Sequence, residues 1–185
     1  MKKYLLSIAL IFLLSIEIKA HVDHYTNYNY LEYELFRNNK LIGYHKYKFQ
    51  RNGENLTIDN EVSFKITKLG VNLYNYYAKG IEKYKNGVFT GFNSQTNQNK
   101  KEKYVNITID PLDKNLLIDG SSYKGKADKN IIIGTWWNHE IVQKKAQISA
   151  VSGRIIEQKV EFVGKEDVKI GEKIYKTLRF NFSSS

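Results

Sequence analysis

Four histidines, two adjacent tryptophans and a scatter of inward-reading tyrosines are the residues of this chain that could do chemistry. His21 and His24 sit just after a small residue, Ala20, where a signal peptidase could cut. A chain beginning at His21 would hold copper through its α-amine and imidazole, with His45 or His139 completing the set. The spacing lacks the short chelate that places a histidine third, and no local motif supports such a copper-brace enzyme. No G-x-S-x-G elbow, phosphate-cradling loop or paired-histidine helix is present. With no cysteine, thiolate metal sites, thiol catalysis and disulfides are excluded by chemistry. The expectation is therefore a protein that is not an enzyme, without cofactor or bound metal.

The remaining candidates read as binding groups. His45 shares a strand face with Leu41, Gly43, Tyr47 and Phe49, which points it inward. The ordinary role of such a histidine is a hydrogen-bonded core residue; the alternative is a ligand contact, with Gly43 leaving room beside it. Trp136 and Trp137 face opposite ways on any extended backbone, so one can be core while the other lines a mouth. Core packing is the ordinary reading, and the functional one puts Trp137 and Asn138 at a cavity rim. His45, Tyr47, Tyr77, Trp136, Trp137 and Asn138 form the candidate ligand set.

The elements that must position these groups follow from a period of two. Leu31, Tyr33 and Leu35 alternate with Glu32 and Glu34, and the row from Leu41 to Phe49 runs on to Asn52-Gly53, a hairpin signal. Leu56 to Ile66 alternates strictly, and Val71, Leu73, Asn75 and Tyr77 continue the pattern toward a second hairpin at Asn86-Gly87. Tyr104–Ile109 is expected as a strand closed by Pro111, the only proline. Short strands around Gly120 follow, and then long ones over 155–163 and 174–182. Asn130 to Gln147 alone breaks the pattern, with a turn or two of helix expected between Glu140 and Ala146. The fold class is all-β: a curved antiparallel meander forming a half-barrel or clam-like barrel with one short helical segment.

Residues 1–20 read as a signal peptide, with Lys2 and Lys3 ahead of an apolar stretch too short to span a bilayer comfortably. The expected location is periplasmic or secreted, with no membrane-spanning segment. Residues 21–29 read as a flexible tether and 30–185 as one β domain. Losing the first twenty residues removes three lysines and one glutamate, which takes the net charge from +10 to +8. Lysine far outnumbers arginine, which argues against nucleic acid as partner. The charge suits either solvated strand faces or attraction to an anionic envelope polymer or lipid.

Several stretches carry a resemblance: Tyr33-Glu34-Leu35-Phe36-Arg37-Asn38-Asn39-Lys40-Leu41-Ile42-Gly43-Tyr44-His45, Glu82-Lys83-Tyr84-Lys85-Asn86-Gly87, Ser94-Gln95-Thr96-Asn97, Trp137-Asn138 and Ser152-Gly153-Arg154. They resemble an uncharacterised family of secreted bacterial proteins classed as a domain of unknown function. The resemblance implies a curved antiparallel sheet similar to periplasmic lipid-carrier-like clam folds, with no catalytic residues to carry over. Members of that family continue past the position of Phe182 with a further hairpin, so a naturally short copy and a fragment both stay open. The function expected is binding of a lipid or other hydrophobic envelope component in the concave face, by a monomer. The rows Leu41–Phe49, Leu56–Ile66 and Val71–Tyr77 supply the apolar surface. A structural or interaction domain meeting an envelope polymer is the alternative.

Overall fold

A computed structural model describes residues 25–184. Residues 1–20, read above as a signal peptide, and His21 and His24 lie outside the described residues.

Eight strands form one antiparallel meander in sequence order: β1 (Tyr30–Arg37), β2 (Lys40–Asn52), β3 (Asn55–Lys68), β4 (Val71–Lys85), β5 (Val88–Gln98), β6 (Lys101–Ile109), β7 (Leu116–Gly120) and β8 (Lys124–Ala127). The hairpin chemistry is local. Asn38, Asn39, Gly53, Asn86, Gly87 and Asn99 take the positive φ that tight turns require and that Asn and Gly adopt at little cost. A sheet of this kind needs only neighbouring segments to pair, so the period-two reading carries through to its architecture.

The barrel does not close. β1 and β8 are the two ends of the strand order and do not pair, so the sheet is open. A second layer covers its inner face instead. β9 (Ile132–Ile133), β10 (Ala146–Ile148), β11 (Ile155–Ile170) and β12 (Lys173–Ser184) form a four-stranded sheet in the order β12-β11-β10-β9, with β9 parallel to β10. The irregular segment holds a 3-10 turn, His139–Gln143, where one or two turns of helix were expected. Five residues with a β-branched Val and Ile offer too few hydrogen bonds to offset helix nucleation.

Two buried clusters join the layers. Phe92, Val105, Ile107, Leu116, Ile118 and Ala127 of the large sheet pack on Ile133 and Ile148 of the cover. Tyr47, Phe49, Leu56, Ile58 and Tyr84 enclose Trp137. At Gly120 the backbones approach so closely that a Cβ would stand 2.5 Å from the Ser152 carbonyl oxygen. Beyond its root, the β11–β12 hairpin is a two-stranded ribbon with most side chains exposed.

The stretch expected as a free tether is fastened over its described residues. Tyr25 stacks on Phe49 at 5.9 Å and meets Trp137 edge-on at 5.3 Å. The Arg51 guanidinium donates to the carbonyls of Tyr25 and Tyr28, at 2.6 and 2.9 Å.

Candidate functional site

The inner face is defined by strand register. Ile58 lies opposite Phe49 and Glu82, Asn60 opposite Tyr47 and Gly80, and Val62 opposite His45 and Ala78. A carboxylate therefore stands in an apolar row. Glu82 is 2% exposed and holds three donors from two layers. The Thr135 hydroxyl and the Trp137 indole N–H donate to its Oε2 at 2.9 Å each, and the Tyr84 hydroxyl donates to Oε1. Burial pushes its pKa up, while the three hydrogen bonds pull it back down.

Tyr47 extends the polar network. Its hydroxyl donates to the Thr135 carbonyl at 2.6 Å and lies 3.3 Å from His45 Nδ1, and His45 Nε2 lies 2.8 Å from Asn60 Oδ1. Desolvation holds the His45 pKa below its ordinary value, so the ring favours the neutral form. Desolvation likewise raises the Tyr47 phenol, which stays protonated. Through Thr135, whose carbonyl faces Tyr47 and whose hydroxyl faces Glu82, the network bolts the cover segment to the sheet.

Beside this bolt lies a cleft of about 550 Å³ between one end of the inner strands β4 to β7 and the Ile131–Ile133 segment. Val88, Phe89, Ile109 and Leu116 line one side and Ile131, Ile132 and Ile133 the other, with Lys114, Lys129 and Lys144 also in its lining. Such a volume, mostly apolar with a few charged groups, is what a small hydrophobic ligand needs. A wider groove of about 870 Å³ at the root of the ribbon is walled mainly by lysine, glutamine, glutamate and serine. A smaller space of about 150 Å³ touches His45, Asn60, Tyr76, Thr135 and Trp136.

The sequence-selected residues divide among these places. Asn138 lines the apolar cleft, and its side chain caps the 3-10 turn by accepting from Glu140 N at 2.9 Å. His45 and Trp136 line the smaller space. Tyr47 and Trp137 are buried in the wall that joins the layers, so of the two tryptophans Trp137 is core. Trp136 is 54% exposed, adopts positive φ, and meets Phe182 of the ribbon at 5.2 Å.

Tyr77 is not with them. A register shift between Ile66 and Thr67 sets Leu73 as an extra residue on β4, which reverses the parity of the row beyond it. Tyr74, Tyr76, Ala78, Gly80 and Glu82 face inward, and Tyr77, opposite Ser63, faces out. The continuous inner row Val71–Tyr77 therefore does not exist.

Sequence reasoning missed Glu82, Thr135, Phe89, Ile109 and Leu116. Parity counted back from Asn86-Gly87, rather than forward from Val71, finds Tyr84 and Glu82 on one face; the pairing of that face with Thr135 has no local signal. Among the described residues no group of three or more His, Asp or Glu side chains could hold a metal ion. No helix among them is long and apolar enough to cross a membrane.

No curated protein and no solved structure matches the chain. Residues 33–185 match a protein family, and on that span, which takes in both sheets apart from the first three residues of β1, the chain belongs to the family described as Domain of unknown function (DUF6134).

Proposed function

We propose that this protein binds a lipid or another hydrophobic molecule in the cleft between the large sheet and the Ile131–Ile133 segment, and that it does so outside the cytoplasm, without catalysis. The observation that carries the reading is the cleft itself: about 550 Å³ flanked by seven apolar side chains from both layers, beside cationic groups. An acyl chain gains about 0.8 kcal/mol per methylene buried. A dozen methylenes give roughly 10 kcal/mol, which exceeds the lower estimates of the cost of association. Lys114 and Lys129, both exposed, and the half-buried Lys144 suit an anionic headgroup, since a carboxylate or phosphate left at the mouth pairs with ammonium groups in contact with water without losing its hydration. The charged start and apolar stretch of residues 2–16 support export.

Native mass spectrometry of protein purified from the compartment in which it accumulates tests the reading, together with displacement of a fluorescent fatty acid. Co-purifying lipid and displaceable probe are expected. Ligand-free protein that also fails to take up the probe would overturn the proposal.

A further inference from the structure

The two ends of the large sheet differ. The turns after β1, β3 and β5 share one end, because the strands alternate in direction. There the β3–β4 hairpin outruns its neighbours: β2 last pairs with it at Phe64, and β5 at Tyr76. Asn75 still exchanges hydrogen bonds with Asn99 of the next turn, so residues 65–74 project as a two-stranded finger. Its apex is Leu69, 95% exposed and at φ 50°. The corresponding positions of the neighbouring turns hold asparagine, Asn38 and Asn99, the residue type that tolerates left-handed backbone. A leucine there gains no packing and carries a conformational cost, so its apolar side chain at the tip needs a reason of its own.

The surroundings supply one. Val71 and Leu73 on the finger, and Phe36 and Leu41 on the adjoining turn, are all more than half exposed. Residues 34–42, 65–75 and 97–103, which make this end of the sheet, hold seven lysines and arginines against Glu34 and Glu102. The turns at the opposite end, residues 51–56, 83–88 and 109–116, hold four against three acids, and the ribbon, 155–184, six against five. Positive charge is thus concentrated where the apolar tips are. Nucleic acids and sulfated polymers match the charge but offer nothing to Leu69 and Val71. An anionic lipid surface matches both, with acyl chains for the tips and phosphates for Lys65, Lys68, Lys100 and Lys101.

We infer that this end of the sheet docks on the surface of an anionic bilayer, with the β3–β4 finger dipping below the headgroups. The finger lies apart from the cleft, which is lined from the opposite end of β4, from β5 to β7 and from the cover segment. The test is co-sedimentation with vesicles, using the chain from His21 onward, which contains all twelve strands. Binding is expected to vesicles of phosphatidylglycerol with phosphatidylcholine, weak or none to phosphatidylcholine alone, and to weaken with salt. Leu69→Asp should cut the partition at least tenfold while leaving the thermal transition in place, and Lys65→Glu with Lys68→Glu should do the same. Leu112→Asp, an equally bare leucine at the opposite end, should bind as wild type.

Absence of binding to the anionic vesicles would overturn the inference. So would binding that Leu69→Asp leaves intact, the signature of a plain polyanion site, or binding that Leu112→Asp weakens equally. Ile132→Trp, which fills the cleft, should not alter vesicle binding, so failure of the ligand reading and failure of this one give different patterns.

Discussion

Replacing Glu82 by alanine should be among the most damaging single changes in the protein. The substitution strands three buried donors, the hydroxyls of Tyr84 and Thr135 and the indole N–H of Trp137. Each orphaned donor costs about 1–3 kcal/mol. Removing buried side-chain volume adds to this, as large-to-small core changes do. Relaxation shares some of the cost among neighbours, so a loss of about 4–7 kcal/mol is expected, against a total stability of about 5–15 kcal/mol for an ordinary domain.

Glu82→Gln keeps the volume, and its amide oxygen can still receive Thr135 and Trp137 while its NH₂ donates to the Tyr84 oxygen. It should cost about 1 kcal/mol, on the scale of a single hydrogen bond. The pH dependence separates the two forms of the native carboxyl. Burial raises the Glu82 pKa in the folded chain, so the folded state holds the proton more tightly than the unfolded one. The stability this contributes is fully present below the ordinary carboxylate range and is lost as pH rises through the raised folded value. Glutamine has no such titration, so the stability of wild type relative to Glu82→Gln should fall with rising pH across that window. Urea unfolding followed by tryptophan fluorescence at several pH values reads both effects. A Glu82→Ala loss below 1 kcal/mol, or a difference curve that rises with pH, would refute the role given to Glu82.

Tyr47→Phe removes the 2.6 Å bond to the Thr135 carbonyl and leaves that acceptor buried, so a loss of about 1–2 kcal/mol is expected in the same assay. Gly120→Ala drives a methyl against the Ser152 carbonyl and Gly153 Cα, and should lower stability by about 1–3 kcal/mol; an unchanged urea midpoint would contradict the close approach of the layers. His45, held neutral by burial, contributes stability that is present above its ordinary pKa of about 6.5 and lost as pH falls toward the depressed folded value. In His45→Gln, NMR-monitored unfolding between those limits should lack this slope.

The large sheet was legible because antiparallel pairing of neighbours leaves its marks locally: alternation along each strand and Asn or Gly at each reversal. What alternation does not show is a bulge. One extra residue at Leu73 turned a correctly recognised strand inside out and sent Tyr77 to the wrong face. The Gln98–Lys101 turn has no such signal, since Asn99-Lys100 lies in a polar run, with Asn93-Ser94-Gln95-Thr96-Asn97 before it and Lys101-Glu102-Lys103 after it, where apolar and polar residues do not alternate. The cover layer was least legible. Ile132–Ile133 and Ala146–Ile148 are two and three residues long, and pair in parallel across a gap of a dozen residues. Their place is set by contacts with Phe92, Ile107 and Ile118, which are far away in sequence. His45 and Tyr47 were found because their own strand orients them. Glu82 escaped because its meaning lies in Thr135 and Trp137, more than fifty residues away.

The proposed ligand reading stands or falls on where an acyl chain sits. A crystal grown with a fatty acid brominated along its chain would show this directly through the anomalous signal of bromine. Bromine is expected between Phe89, Leu116 and Ile132, with occupancy abolished by Ile132→Trp. Bromine confined to the ribbon or the outer face, or an unoccupied cleft at saturating ligand, would contradict it.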